Sequence, residues 1–155
     1  MPLFEFENLE SLRPLIGKEI AVSDWFTVSQ ERINQFAEAT GDHQWIHVDV
    51  DRATRESPYK TTIAHGFLTL SLLAGIAIAT IKIKSVKMGV NYGLNRVRFT
   101  DAVPAGSKIR AHFVLKSMED LLPENGSQAV WDVTVEREGS TKPVLVAEWI
   151  GRRYE

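Results

Sequence analysis

Reactive side chains are densest between Thr40 and His47, where the sequence reads Thr-Gly-Asp-His-Gln-Trp-Ile-His. Asp42 and His47 stand five residues apart in this glycine-containing segment, so a loop could bring the carboxylate and the imidazole into hydrogen-bond contact. Such a pair can hold a water molecule, take a proton from it and return a proton elsewhere. The alternative is structural, with Asp42 capping the next turn and His47 partly buried. The local sequence leaves both interpretations open.

A metal centre is the competing chemistry for the same segment. His43, His47 and Asp49 could be drawn together as ligands, but their spacing matches no familiar zinc pattern. The chain has no cysteine, which excludes a thiolate metal site, a disulfide and a cysteine nucleophile. We therefore expect no metal here, and His43 could simply face solvent.

A second cluster, Ile-Ala-His-Gly-Phe over residues 63–67, precedes a long apolar run. Gly66 would open a helix there, and the first N–H groups of a helix are unpaired at the positive end of its dipole. Glycine also lets a ligand come close to the backbone. Such a site suits a carbonyl oxygen that gains negative charge during a reaction. The alternative is that Gly66 only permits a tight helix start, with His65 as a polar cap.

Ser71 lies five residues into the same helix and could touch a ligand. A serine in an apolar helix more often bonds back to a carbonyl one turn earlier. Neither a neighbouring base nor a Gly-x-Ser-x-Gly elbow marks Ser71 as a nucleophile.

Short helices are predicted on either side of Asp42. Ser29 is the predicted N-cap of the first helix, and Gly41 ends it. A second helix, capped by Asp49, is expected to end before Pro58. The apolar stripe of the first helix consists of Ile33, Phe36, Ala37 and Thr40.

Residues 63–81 contain no Asp, Glu, Lys or Arg, and their number approaches the ~20 residues that span a bilayer. Polar and glycine residues interrupt the run, and the rest of the chain is amphipathic. We interpret residues 66 to about 81 as a helix buried in a protein core, roughly 24 Å long at 1.5 Å per residue. A sheet would cover one side of it, and a second subunit is the natural cover for the other.

The second half of the sequence alternates between apolar and polar residues, which is typical of strands. Strands are predicted at 86–92 and 94–100, joined at Gly93, and at 108–118, 130–136 and 144–150, with an earlier one around 19–26. Early helices followed by antiparallel strands predict an α+β fold, and residues 1–155 read as one domain. Basic residues of this half could meet the phosphates of a carrier but are more typical of a solvated face: Arg96, Arg98, Lys108, Arg110 and Lys116.

The overall charge excludes some partners. The formal net charge is −2, without the basic stripe of a nucleic-acid-binding protein. The N-terminus carries acids where a signal peptide would need a basic start and an apolar run, so we expect a cytoplasmic protein with no membrane partner.

Two motifs together resemble the MaoC-like dehydratase family of hot-dog folds, which includes (R)-specific enoyl-CoA hydratases. The first reads Phe-Ala-x-x-Thr-Gly-Asp-x-x-x-x-His-x-Asp over residues 36–49, and the second Ile-Ala-His-Gly-Phe-Leu-x-x-Ser-Leu over 63–72. Residues 90–99, with Val-Pro-x-Gly at 103–106, are similar to the branch named for the nodulation protein NodN. The resemblance runs from about Gly17 to the C-terminus.

This resemblance implies an antiparallel sheet wrapped around a central helix, in a homodimer or larger assembly. It implies reversible hydration of a trans-2-enoyl thioester to the (R)-3-hydroxyacyl thioester. The motif places the water-activating aspartate at Asp42, the histidine at His47 and the carbonyl-binding amide at Gly66. It implies no metal or redox cofactor, and a substrate carried on CoA or acyl carrier protein. We predict substrate contacts at Gln44, Trp45, His65, Phe67 and Ser71.

The chain departs from the family at one point. Many members read Asp-x-Asn-Pro-x-His, whereas this chain has Gln44 and Trp45 in place of the asparagine and the proline. We expect Trp45, together with Trp25 and Phe67, to narrow the acyl tunnel. Two other functions stay open: a thioesterase on the same fold, and a module that binds acyl thioesters without turning them over.

Overall fold

The computed structural model describes residues 3–155 as an α+β fold, in which a curved antiparallel sheet packs against one long helix. The helices are α1 (Gln30–Thr40), α2 (Trp45–Val48), α3 (Val50–Glu56) and α4 (Gly66–Thr80), with a 3₁₀ turn at Glu10–Leu15. The strands are β1 (Phe4–Phe6), β2 (Glu19–Val22), β3 (Phe26–Thr27), β4 (Ile81–Ile83), β5 (Met88–Arg98), β6 (Lys108–Leu121), β7 (Gly126–Arg137) and β8 (Leu145–Tyr154).

The main sheet has the strand order β2-β6-β7-β8-β5, and β3 also pairs with β6. Alternate residues of its strands form the core, as the sequence pattern predicts, because successive side chains of a strand point to opposite faces. The buried set on β6 and β7 is Ile109, Ala111, Phe113, Leu115, Trp131, Val133 and Val135. Helix α4 packs on this face through Leu68, Leu73, Ile76 and Ala77. The predicted fold class is therefore confirmed.

The predicted helix ends around the Asp42 segment are confirmed by their caps. Ser29 Oγ accepts a hydrogen bond of 3.2 Å from the Arg32 N–H at the start of α1. Gly41 ends that helix in the left-handed region with a φ of 80°, which glycine adopts without steric cost. Asp49 Oδ1 accepts 2.9 Å from the Arg52 N–H and caps α3.

Three predicted elements are wrong in detail. The two strands expected at 86–92 and 94–100 form the single strand β5, because register shifts on both sides of Gly93 absorb the irregularity as bulges. The strand expected around 19–26 is two short strands, β2 and β3. The predicted loop that carries His47 closes into one helical turn, α2.

Three elements, β1, β4 and the 3₁₀ turn, have no counterpart in the sequence prediction. Strand β4 begins directly after α4 and pairs in parallel with β1, with Phe4 opposite Ile81. The 3₁₀ turn buries Leu12 against the core. Within the described part of the chain, no helix is both long and apolar enough to cross a membrane.

Candidate active site

His47 is buried on the single turn α2, and its ring is oriented by a backbone carbonyl. Its Nδ1 lies 2.7 Å from the carbonyl oxygen of Ile63. A carbonyl can only accept, so Nδ1 carries the hydrogen and donates it. Nε2 of the neutral ring is then left with its lone pair, which is the form that a general base requires.

The surroundings of His47 favour that neutral form. Burial lowers the pKa of His47 below its ordinary value of 6.5, and the bond to the Ile63 carbonyl opposes this shift. The neighbouring His65 lowers the pKa further, whereas the Asp42 carboxylate raises it. The net direction is downward, so His47 is uncharged at neutral pH and can accept a proton.

Two residues outside the predicted set hold the backbone of α2. Gln30, the first residue of α1, donates from Nε2 to the carbonyl oxygen of His47 at 2.8 Å. The buried Thr62 donates its hydroxyl hydrogen to Gln30 Oε1. Because Thr62 precedes Ile63, Gln30 ties the His47 turn to the same segment that orients its ring. No sequence signal marks Gln30, since its partners are distant along the chain.

Asp42 lies in the loop between α1 and α2, with an exposed carboxylate. Its Oδ1 accepts 3.3 Å from the Gln44 N–H, but no side chain caps the start of α2. A side-chain ligand atom from each of Asp42, His47 and His65 lies within 4.8 Å of the other two. The structure therefore brings Asp42 and His47 together, at a separation that one water molecule can bridge.

His65 is 2% exposed and lies behind this pair. Its ring stacks on His47 with centroids 3.8 Å apart, and Phe36 packs against it at 5.0 Å. Its Nε2 donates to the backbone carbonyl of Asp42 at 3.0 Å, because that oxygen can only accept. His65 thus contacts both members of the predicted pair, but through the backbone of Asp42 and the face of His47.

The stacking of the two imidazoles argues against a metal ion between them. Their planes differ by 24°, so the in-plane lone pairs of His47 and His65 lie in nearly parallel planes. Ligands of one metal ion must instead converge on a point. His43, which entered the zinc alternative, pairs with Glu38 at 3.5 Å.

Gly66 opens α4, and neither its N–H nor that of Phe67 has a backbone acceptor among residues 3–155. These are the unpaired donors expected at the positive end of a helix. The ring of Phe99 lies directly over Gly66, since a Cβ at this position would stand 2.9 Å from two of its carbons. Glycine is therefore needed here for close packing, and Phe99 is a neighbour that the sequence did not predict.

The other residues predicted to contact the substrate have different surroundings. Gln44 is tied to Asp42 by its backbone, and its side chain is exposed. The Trp45 ring is covered by the Arg52 guanidinium at 4.3 Å. Phe67 is 69% exposed and meets the edge of Phe99.

Ser71 and Trp25 line a different place, a cavity of about 450 Å³ on another side of α4. Trp25, Trp45 and Phe67, which were expected to narrow one tunnel, thus have three different surroundings.

The family model of the MaoC-like domain matches residues 11–136 of this chain. This chain belongs to the MaoC-like domain family. It is 51% identical over 148 residues to 3-hydroxyacyl-thioester dehydratase Z of Mycobacterium tuberculosis, which covers 95% of this chain and 96% of that protein. It is 49% identical over 146 residues to nodulation protein N of Rhizobium leguminosarum bv. viciae, covering 92% and 89% of the two chains. Both the predicted family and the predicted branch are confirmed.

The fold has solved counterparts as well. The unliganded R-hydratase PhaJ1 from Pseudomonas aeruginosa superimposes with a TM-score of 0.68 at 20% identity, covering 90% of this chain and 82% of that one. This likeness confirms the hot-dog fold that the two motifs imply.

Proposed function

We propose that this member of the family interconverts trans-2-enoyl and (R)-3-hydroxyacyl thioesters, with Asp42 and His47 activating water and Gly66 binding the carbonyl. The family and its curated dehydratase relative make the chain a hydratase/dehydratase. The bond from His47 Nδ1 to the Ile63 carbonyl carries the assignment of roles. It leaves Nε2 unprotonated beside the Asp42 carboxylate.

The first step of the proposed reaction is polarisation of the substrate. The thioester carbonyl accepts a hydrogen bond from the Gly66 N–H, where the dipole of α4 is positive. Electron density is drawn from C3 towards the carbonyl, and C3 becomes electrophilic. A helix start is suited to this role because its donors are already oriented before the charge develops.

Water then adds between the two side chains. Asp42 and His47 hold the water, its oxygen bonds to C3, and its proton passes to the pair. The electron pair of the C2=C3 bond takes a proton at C2 from the same pair, so both additions occur on one face. Dehydration is the reverse sequence. No electrons enter or leave overall, so the proposed reaction needs no redox cofactor. We propose that water is activated by Asp42 and His47 without a metal, and that the substrate brings its own carrier, CoA or acyl carrier protein.

The replacement Asp42→Asn tests this assignment. It keeps the oxygen that accepts from the Gln44 N–H but removes the charge that holds and activates water. We expect turnover of crotonyl-CoA to fall by roughly 10²–10⁴, the usual range for acid–base groups, with an unchanged melting temperature. Loss of the enoyl absorbance is the measurement, and hydration at the wild-type rate would rule out the assignment.

The same assay separates the rival functions. A thioesterase would add water to the carbonyl carbon and release a free thiol, which a thiol reagent detects. A binding module would bind acyl-CoA and do neither reaction. The isolated Nε2 of His47 beside a carboxylate supports catalysis over plain binding, since a binding site has no need of an activated water.

We also propose a homodimer or larger homo-oligomer. Ile78 on α4 is 76% exposed, and β5 stands at one edge of the main sheet. A long apolar edge strand calls for a covering partner. Its exposed apolar side chains are Met88, Val90, Tyr92 and Leu94. Sedimentation analysis of the wild type beside Val90→Lys tests this, and a monomeric wild type would contradict it.

A further inference from the structure

A cavity of about 600 Å³ lies beside the C-terminal half of α4, between that helix and strands β5 and β8. Most of its walls are apolar or small, and Ala74 and Trp149 are among them. Three cations, Lys82, Arg152 and Arg153, line it as well, and no acidic residue does so among those the structure describes. The cavity is therefore largely apolar and positively charged.

Arg153 has no partner for its charge. Within residues 3–155, no carboxylate lies within 4.0 Å of the Arg153 guanidinium, and no side-chain hydrogen bond reaches it. The guanidinium lies over the Trp131 ring, 5.4 Å from its centroid. Burial lowers the pKa of Arg153, yet an arginine keeps its proton in a protein. A guanidinium that is partly withdrawn from water and has no acid beside it is suited to an anion that arrives from outside.

The cavity and the proposed carbonyl site lie on the same face of α4. On α4, Gly66, Leu70, Ala74 and Ala77 are spaced to share a helix face. The rise of a helix puts Ala74 about 12 Å and Ala77 about 17 Å from Gly66. Strand β5 flanks the same face: the Phe99 ring, just past its end, packs on Gly66, and Gly89 near its start lines the cavity.

We propose that the acyl chain of the substrate runs along this face of α4 into the cavity and that Arg153 binds a carboxylate at the far end of that chain. The substrate class is then an ω-carboxyacyl thioester rather than a plain fatty acyl thioester. The inference rests on the proposed hydration at Gly66, Asp42 and His47. Charge-assisted hydrogen bonds from an arginine are among the stronger ones that a buried carboxylate can accept.

The test compares two substrates of equal length, trans-2-decenoyl-CoA and trans-2-decenedioyl-CoA. We expect the wild type to favour the diacid by roughly tenfold or more in kcat/KM, the worth of a hydrogen-bonded charge. Arg153→Met should abolish this preference while keeping hydration of the plain enoyl-CoA. Shorter and longer diacids should lose the preference, because their carboxylate misses Arg153.

Arg55→Met is the control for the loss of one cation. Arg55 lies exposed in the last turn of α3 and is not among the residues that line this cavity. We expect this variant to retain the preference for the diacid. Calorimetric binding of saturated decanedioyl-CoA provides a readout that does not depend on turnover, and Arg153→Met should weaken it by the same factor.

Equal kcat/KM for both substrates at every chain length would overturn the inference, as would an unchanged preference in Arg153→Met. A shift of that variant towards monomer without a change in preference would also overturn it, because Arg153 would then pair with a second copy. If neither substrate is hydrated, the proposed function fails instead, and the calorimetric comparison still decides whether Arg153 binds the carboxylate.

Discussion

Two histidines of this protein show how partners, rather than residue type, decide chemistry. His112 on β6 lies between carboxylates, with Nδ1 3.0 Å from Glu19 and Nε2 2.8 Å from Glu136. Only a ring that donates from both nitrogens satisfies both contacts, and such a ring has no lone pair left. His47 instead bonds one carbonyl, at Ile63, and keeps its other nitrogen free. The first arrangement joins strands, and the second can accept a proton.

The largest effect that tests this comparison is expected from His47→Gln. Glutamine can still donate to the Ile63 carbonyl but has no basic nitrogen, so we expect turnover of an enoyl-CoA to fall by roughly 10²–10⁴. The matched His112→Gln variant should hydrate the same substrate at the wild-type rate. Equal losses in both variants would show that the free nitrogen of His47 is not what matters.

The pH profile of kcat/KM gives the next largest effect. Because burial lowers the pKa of His47 below 6.5, its neutral form persists into mildly acidic solution. The rate should therefore stay level as the pH falls through 6.5 and then drop by about tenfold per pH unit below the lowered pKa. An acid limb with its midpoint above 6.5 would contradict the neutral, buried state of His47.

The replacement Gln30→Leu tests whether the position of the His47 turn matters, because it loosens that turn. Losing the bond to the His47 carbonyl should lower kcat by roughly two- to tenfold and leave KM unchanged, because Gln30 does not touch the substrate. Asn34→Leu is the control, since it removes the other acceptor of Gln30 Nε2 and leaves the His47 contact in place. A fall in kcat of equal size in the control would assign the effect to general loosening of α1.

The smallest effect is expected for the stability of His112→Gln. Its carboxylate partners are partly exposed, and ion pairs of this kind contribute about 0.2–1 kcal/mol. Urea unfolding should show a loss within that range, and the loss should shrink at high salt because screening already weakens the pairs. A loss that is insensitive to salt would mean that packing, not charge, holds the ring.

Much of the local structure was predictable because its causes are local. The caps at Ser29 and Asp49 and the left-handed turn at Gly41 depend on neighbouring residues, and the structure has all three. The alternation along β6 and β7 likewise reports which face is buried. Gly93 shows the limit, since a glycine can end a strand or form a bulge, and only pairing with β8 decides between them.

For the site, the types and spacing of Asp42, His47 and Gly66 are visible in the sequence and are enough to predict the family. Which nitrogen of His47 is free depends on the packed fold, because the Ile63 carbonyl lies sixteen residues away along the chain. The packed fold also leaves Arg153 without an acid beside it, which no pattern in β8 predicts. The physical reason is the same in both cases: the state of a titratable side chain is set by its burial and its partners, and those come from distant parts of the chain.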